Sequence, residues 1–327
     1  MPSSTSQGSP RNGRIAIAFA CVYFFWGSTY LAMRYGLEVL PPFMIGSIRF
    51  LISGVILLAF CVACGMRTLP TKREFGLLAI MGVLMLGCGN LTILWAELYL
   101  PTGLVSLLIA TIPLYAALIE IFLPNGDGLP ARGWAGVGIG FIGMALLVSP
   151  RLRDSFHGDT RQIVAAGVAL GGAFSWTVGS VIARRSTIHI SGFAAAGWQM
   201  FFGGAFNAIV MVSTGGYHGA RWGLLAWSSI LYLVTFGSLV GYTAYIYLLN
   251  NVPLSKVATY AYINPVVAVL LGAIFLHERF VTAEYMGMAS VLLAVFLVTS
   301  SKRKTGGPAA EVEKIVAAGN IAARLKE

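Results

Sequence analysis

The sequence predicts an all-α integral membrane protein with ten transmembrane helices, arranged as two inverted five-helix repeats. Its composition is the first reason: 57% of the 327 residues are hydrophobic and only 10% are charged, against about 25% charged in a soluble domain. Internal repetition is the second: an offset of 150 residues places Trp26 on Trp176, and one of 152 places Pro113 on Pro265. Each copy holds five predicted spans. Because five is odd, the second copy must lie upside down in the bilayer relative to the first.

Each element follows from an apolar run of about 20 residues, the length that crosses about 30 Å of hydrocarbon. The predicted spans are residues 14–34, 43–65, 75–97, 102–123, 133–149, 163–183, 193–213, 223–249, 255–276 and 281–300. The first follows Arg11 and Arg14, as a signal peptide would. Its apolar run continues to Met33 without a polar start, so we expect a retained helix.

The spans divide the chain into five parts. These are a cytoplasmic segment at 1–13, a first repeat at 14–149, an external connector at 150–162, a second repeat at 163–300 and a polar cytoplasmic tail at 301–327. With both termini in the cytoplasm, 15 of the 22 Lys and Arg residues fall on the cytoplasmic side. Without the tail, nine basic residues lie on the cytoplasmic side and seven on the opposite side. The positive-inside rule therefore favours cytoplasmic termini in an inner membrane.

Several motifs match functional signatures in letters only. Gly138, Gly140 and Gly143 have the dinucleotide-binding spacing, but they lie inside a predicted span, where backbone N–H groups are already bonded. We expect Gly136, Gly140 and Gly143 to admit a neighbouring helix closely. The four cysteines all lie in apolar spans, and the basic residues are scattered over loops. The sequence therefore predicts no cofactor, no metal and no nucleic-acid partner.

Polar residues within the spans are the first site candidates, because a charge at mid-bilayer costs about 2.5–3.5 kcal/mol on insertion scales. Arg49 either contacts an anionic group or bonds neighbouring helices. The internal repeat aligns Gln199 with Arg49. The two form an intramembrane polar pair, and Gln199 could bond neighbouring helices in the same way. Glu97 ends the third span and is either a functional carboxylate or a solvated helix end. Asn90 and Trp95, on the same span, are further cavity candidates.

Aromatic residues and helix breaks complete the candidate set. Interfacial tryptophans belong at helix ends, yet Trp26 and Trp176 lie mid-span at equivalent positions, so they either pack the core or face a cavity. Buried phenols need hydrogen-bond partners, which a wet cavity supplies. Prolines at matching positions of two repeats point to a transport site, or simply to kinks. The remaining candidates are Tyr242, Tyr245, Tyr260, Asn264, Pro113 and Pro265.

Three short motifs, which include several of the candidate residues, resemble those of a known family. Phe25-Trp26-Gly27-Ser28-Thr29-Tyr30, Tyr260-Ala261-Tyr262-Ile263-Asn264-Pro265-Val266 and His277-Glu278-Arg279 are similar to the EamA branch of the drug/metabolite transporter superfamily, especially its bacterial inner-membrane exporters. The resemblance implies ten helices, cytoplasmic termini and a central cavity. One asymmetry stands out: the first copy has Asn125-Gly126-Asp127-Gly128 where the second has His277-Glu278-Arg279.

The resulting expectation is a secondary active transporter that exports amino acids, related metabolites or amphipathic xenobiotics by alternating access. A site of Trp, Tyr and Asn with few charges suits a neutral, zwitterionic or aromatic molecule. Protons or another ion are the expected coupling species, and a monomer or homodimer the expected state. A passive facilitator or channel is the alternative. A membrane-embedded enzyme is the third reading, although all four histidines lie at loops or span ends.

Overall fold

The computed structural model describes residues 10–123, 130–156, 160–252, 257 and 260–301. In these ranges the chain forms helices joined by turns, and none of the described residues lies in a β-strand. The predicted all-α class is therefore confirmed. Residues 1–9, the Asn125–Gly128 loop and the tail after Ser301 lie outside the described residues.

Helical segments of the first half follow the predicted spans to within four residues, except that α5 continues seven residues beyond its predicted end at 149, into the predicted connector. They are α1 (Pro10–Cys21, a π-helical turn at Val22–Trp26, and Gly27–Leu37), α2 (Pro42–Ala63), α3 (Lys72–Gly82, a π-helical stretch at Val83–Gly89, and Asn90–Ala96), α4 (Thr102–Ile109 and Ile112–Phe122) and α5 (Ala131–Phe156).

The helices of the second half follow their predicted spans to within about five residues. They are α6 (Arg161–Arg185), α7 (Gly192–Ser213), α8 (Leu224–Tyr232, a π-helical stretch at Leu233–Val240, and Gly241–Asn251), α9 (Tyr260–Phe275) and α10 (Thr282–Ser301). Within the described ranges, seven helices, α1–α4 and α6–α8, are long and apolar enough to cross a membrane. The apolar parts of α5, α9 and α10 are shorter, at Ala131–Leu147, Ile263–Phe275 and Thr282–Val298.

Local chemistry fixes several helix ends. Pro42 occupies the first turn of α2, where its missing N–H costs nothing. The helix ends before Gly65, whose φ of +67° favours glycine. At the start of α3, Thr71 and Glu74 form a capping box, in which each side chain accepts a hydrogen bond from the other residue's backbone N–H.

Glycines allow the closest helix contacts. A Cβ built on Gly54 of α2 would lie 2.7 Å from the backbone nitrogen of Phe201 in α7. One built on Gly204 of α7 would lie 2.6 Å from the backbone nitrogen of Leu51 in α2. Gly54 and Gly204 are 150 residues apart, the offset of the internal repeat. The contact between α2 and α7 is therefore reciprocal.

Two of the three glycines with dinucleotide-binding spacing, Gly140 and Gly143, pack against neighbouring helices. A Cβ on Gly143 of α5 would lie 2.9 Å from the backbone nitrogen of Val291 in α10, and one on Gly140 would lie 2.5 Å from Leu114 Cδ1 in α4. Gly138 has no neighbour within 4 Å of such a Cβ. A Cβ on Gly136 would lie 2.9 Å from Leu297 Cβ in α10. The prediction of close helix packing is therefore confirmed for Gly136, Gly140 and Gly143.

Loops gather at two ends of the bundle. At the end named here the Glu97 end, formed by loops 38–41, 97–101, 214–223 and 276–281, the Arg221 backbone N–H donates to the Val39 carbonyl at 2.8 Å. At the opposite end, the Trp198 indole N–H donates to the Thr68 carbonyl at 2.9 Å. There the backbone N–H of His189 donates to Glu74 at 2.5 Å.

Candidate functional site

A cavity of about 90 Å³ lies between helices from both halves of the chain. A water molecule occupies about 10–15 Å³ of such a cavity, so several waters or a small organic group fit. Its lining is predominantly apolar and aromatic, with a few polar groups. The lining residues are Trp26, Thr29, Tyr30, Met33, Arg49, Phe50, Leu86, Asn90, Ile93, Ile109, Ile112, Trp176, Met200, Gly237, Ser238, Tyr242, Tyr260 and Asn264.

Seven of the predicted site residues line this cavity, and they come from six different helices. They are Trp26, Arg49, Asn90, Trp176, Tyr242, Tyr260 and Asn264. Neither half of the chain encloses the cavity alone.

Trp26 is held by a hydrogen bond and by a group of tyrosines. Its indole N–H donates to the Gly237 carbonyl of α8 at 3.1 Å. Its ring centroid lies 5.0 Å from that of Tyr245, 5.2 Å from that of Tyr260 and 6.4 Å from that of Tyr242. The edge-on contact with Tyr260, at an interplanar angle of 88°, is a favoured aromatic geometry. Trp26 therefore joins α1 to both α8 and α9.

The π-helical stretch of α8 explains why the Gly237 carbonyl is available. In a regular α-helix the N–H of Gly241 would donate to it. Here that N–H donates to the carbonyls of Phe236 and Ser238 instead, so the Gly237 carbonyl loses its usual α-helical donor and accepts from the Trp26 indole. Gly241 must also be small, because a Cβ there would lie 2.6 Å from the indole nitrogen of Trp26.

The first half contains a related but not identical arrangement. The π-helical stretch of α3 begins at Val83, 150 residues before that of α8 at Leu233. Here the Ser175 hydroxyl of α6 donates to the Leu84 carbonyl at 2.7 Å. In both halves a side chain thus bonds a carbonyl of a widened helix. Trp176, next to Ser175, is half-buried at the cavity, and no ring contact to it is seen among the described residues.

Two asparagines bring unpaired acceptors to the cavity. Asn90 of α3 is 8% exposed and Asn264 of α9 is 7% exposed. The side-chain oxygen of each is buried and accepts no hydrogen bond from the described part of the chain. Because buried polar atoms are normally bonded, these oxygens are available to a donor group of a ligand or to water.

Arg49 and Gln199 each bond α8 rather than one another. The Arg49 Nε donates to the Ser238 hydroxyl at 2.9 Å, and the Tyr242 hydroxyl donates to the Gln199 side-chain oxygen at 2.9 Å. Ser238 and Tyr242 are four residues apart, on one face of α8. Arg49 and Gln199 thus both form hydrogen bonds between helices, one of the two roles considered for Arg49. Arg49 also lines the cavity.

The other predicted candidates lie away from the cavity lining. Trp95 packs on Tyr99 with ring centroids 5.0 Å apart. Gln199 stands behind Tyr242, and Tyr245 lies behind Trp26 in the aromatic group. Glu97 is fully buried at the end of α3, beside Arg34 of α1, which donates a hydrogen bond to the Glu97 main-chain carbonyl.

The two prolines act differently on their helices. Helix α4 is interrupted between Ile109 and Ile112, just before Pro113. Pro113 has no N–H to donate to the Ile109 carbonyl, which lies at this break. In α9, residues 260–275 form one helix that contains Pro265.

Sequence reasoning missed the role of Glu278. One of its carboxylate oxygens accepts hydrogen bonds from the backbone N–H of Thr102 at 2.6 Å and from its hydroxyl at 2.9 Å. The other accepts from the backbone N–H of Gly103 at 3.2 Å. A loop of the second half thus caps the first turn of α4 in the first half. The only signal was the asymmetry between residues 125–128 and 277–279.

Taken together, the site is a small cavity with aromatic walls, two free amide oxygens and one guanidinium. Such a lining binds organic molecules by stacking and by a few hydrogen bonds. Among the described residues, no group of three or more His, Cys, Asp or Glu side chains is placed to hold a metal ion.

Comparison with known proteins agrees with this architecture. YedA of Escherichia coli K12, described as an uncharacterized inner membrane transporter, is 34% identical over 288 residues, which cover 87% of this chain and 90% of YedA. YvbV of Bacillus subtilis 168, described as an uncharacterized transporter, is 23% identical over 295 residues, covering 89% of this chain and 93% of YvbV. One solved crystal structure matches with a TM-score of 0.64 at 19% identity, covering 89% of this chain and 99% of its own, which shows a shared fold.

The model of the EamA-like transporter family matches the chain twice, at residues 13–149 and 163–300. These two matches cover most of the sequence, and the family resemblance predicted from the motifs is confirmed. The chain belongs to the EamA-like transporter family.

Proposed function

We propose that the protein is a secondary active transporter that exports small organic molecules across the cytoplasmic membrane by alternating access. Amino acids, related metabolites and amphipathic xenobiotics are the proposed substrate classes. The observation that carries this proposal is the cavity between the two halves, which receives Trp26 and Arg49 from the first half and Trp176 and Tyr242 from the second. A site shared by two halves can be exposed to either side when one half moves against the other.

The proposed architecture is ten transmembrane helices in two inverted repeats, residues 14–149 and 163–300. Three observations support it. The π-helical stretches of α3 and α8 begin 150 residues apart. Gly54 and Gly204 make reciprocal contacts between α2 and α7. The family model also matches once in each half.

The proposed orientation places both termini in the cytoplasm, with the connector at 150–162 outside. The excess of basic residues on the cytoplasmic side supports it. Reporters fused after Ser300 and within residues 66–73 should then read cytoplasmic, and one within residues 151–161 should read external. An external signal at residue 70 would contradict the orientation.

Transport, and not catalysis, is the proposed activity, because the family and the relatives reported above are described as transporters. The expected partners are the substrate, the lipid bilayer and a coupling ion, and the protein acts as a monomer or a homodimer. Two free amide oxygens and one guanidinium among aromatic walls suit a neutral, zwitterionic or aromatic molecule.

Flux through reconstituted protein tests the proposal. Proteoliposomes are loaded in turn with radiolabelled amino acids and with cationic dyes, and efflux is measured over a range of substrate concentrations. A transporter gives saturable flux for at least one class, with Asn90→Ala weakening the apparent affinity. Flux that rises without saturation would instead indicate a channel or facilitator.

A further inference from the structure

The Glu97 end of the bundle contains a buried carboxyl group to which no described residue donates a hydrogen bond. Glu97 has no exposed surface, and neither of its carboxylate oxygens accepts a hydrogen bond from the described residues. Buried carboxylates are normally hydrogen-bonded or paired with a cation, because desolvation penalises the charge. An unpaired and fully enclosed carboxyl group therefore fits this conformation best when it carries a proton.

The charged groups around Glu97 do not supply the missing bond. Arg34 of α1 and Glu278 of the α9–α10 loop are the charges that act on it. The Arg34 guanidinium donates to the main-chain carbonyl of Glu97 and not to its carboxylate. Helix α2 also packs on this part of α3, and its charged residue Arg49 is bonded to Ser238. Helix α6, which packs there too, carries Arg161 exposed at this end.

Glu97 is linked to the cavity wall through Tyr30, although it does not line the cavity itself. Tyr30 lines the cavity, and its phenol interacts electrostatically with Glu97. A change in the charge of Glu97 therefore acts both on the cavity wall and on the loops that close this end.

Glu278 provides the closure itself. Its three hydrogen bonds to Thr102 and Gly103 tie the α9–α10 loop of the second half to the start of α4 in the first half. Both carboxylate oxygens of Glu278 act as acceptors in these bonds. A second negative charge nearby, on Glu97, would repel Glu278 and weaken the cap.

We propose that Glu97 and Glu278 form a proton-dependent gate, in which Glu97 binds one proton when this end closes and Glu278 then caps α4. The proposal rests on the proposed function, under which this end faces outward. Closing takes up one proton from the external solution on a Glu97 carboxylate oxygen, and opening returns it. Once the gate is open and water enters, ionised Glu97 can take Arg34 as its ion partner. An emptied exporter would then close only after an external proton has bound.

Labelling of a buried cysteine tests the gate without any knowledge of the substrate. Ser106 of α4 is 2% exposed and lies one turn beyond Thr102. Ser106→Cys is introduced after Cys21, Cys61, Cys64 and Cys88 have been replaced by alanine. The protein is reconstituted in proteoliposomes, and a membrane-impermeant maleimide is added outside at pH 5.5–8. Gly223→Cys, on an exposed loop of the same end, corrects for the pH dependence of the reagent.

Because closure binds one proton, raising the pH favours the open state. The labelling rate of Ser106→Cys, corrected with Gly223→Cys, should therefore rise by up to about tenfold for each unit of pH increase. Glu97→Gln should label slowly at every pH, since a neutral side chain always permits closure. Glu97→Asp should keep the pH dependence and shows that the position tolerates substitution. Glu278→Ala should label faster at low pH. The matched control is Glu38→Gln, at an exposed residue of the same end, and it should behave as the parent protein does.

Two results would overturn the gate: the parent pH dependence persisting in Glu97→Gln, or no labelling of Ser106→Cys at any pH. Failure of the gate is distinguishable from failure of the proposed function. Saturable efflux that persists in a protein with pH-independent labelling would remove the gate and leave the transporter. A protein that shows pH-dependent labelling but no saturable flux would keep the gate and remove the proposed transport function.

Discussion

The repeat-equivalent tryptophans should respond differently to the same substitution. Trp26→Phe removes the indole N–H that donates to the Gly237 carbonyl at 3.1 Å. Membrane-protein hydrogen bonds average about 0.6 kcal/mol by double-mutant cycle, whereas a buried carbonyl left without a donor costs about 1–3 kcal/mol. Phenylalanine keeps most of the ring contacts with Tyr245 and Tyr260. We therefore expect Trp26→Phe to lower the free energy of unfolding by about 1–2 kcal/mol.

Trp176→Phe is the matched control, because the same ring is shortened at the equivalent position of the other half. No hydrogen bond from its indole to another described residue is seen, so the expected loss is below about 0.5 kcal/mol. Equilibrium unfolding of both variants in mixed micelles measures the difference. Equal losses for the two variants would refute the argument that the Gly237 carbonyl, freed by the π-helical stretch, anchors Trp26.

Three further predictions follow from the packing and the cavity. Gly54→Ala and Gly204→Ala should each lower the free energy of unfolding by about 1–3 kcal/mol, because the added methyl group overpacks the contact between α2 and α7. Gly138→Ala is the control, since there is open space around Gly138. Equal losses for all three variants in denaturation would contradict this prediction. Tyr242→Phe should cost about 1 kcal/mol in the same assay, because the Gln199 oxygen loses its donor; an unchanged midpoint would count against that bond. Asn264→Ala should raise the substrate KM about tenfold, the worth of one hydrogen bond of about 1.4 kcal/mol, and an unchanged KM in efflux assays would exclude its free oxygen from binding.

Much of the fold could be predicted because it follows from periodic, local properties of the sequence. Apolar length alone located the helices to within about five residues, apart from the end of α5, and the internal offset paired Trp26 with Trp176. Gly136, Gly140 and Gly143 of α5 could be assigned to packing because backbone N–H groups inside a helix are already bonded.

The π-helical stretches were beyond sequence reasoning. Their residues have the same apolar character as the α-helical residues around them, so neither periodicity nor composition marks Val83–Gly89 or Leu233–Val240. Gly87 and Gly237, which match at the 150-residue offset, were the available hint. Without these stretches, the bond between Trp26 and the Gly237 carbonyl could not be foreseen.

The candidate site was only partly predictable because helix rotation decides which face meets the cavity. Tyr242 lines the cavity, whereas Tyr245, three residues later, lies behind Trp26. Trp95 and Glu97 were placed with the cavity residues by their span alone, yet they lie toward the end of α3. The cap by Glu278 joins residues 176 positions apart, a tertiary contact that no local pattern records.

Exchange flux tests the central claim most directly. Proteoliposomes containing the protein are preloaded with an excess of an unlabelled substrate identified by the efflux screen, and entry of the radiolabelled form is then measured. An alternating-access site between the two halves predicts that internal substrate accelerates this entry several-fold and drives transient accumulation above equilibrium. Entry that is independent of internal substrate would contradict alternating access and indicate an open pore.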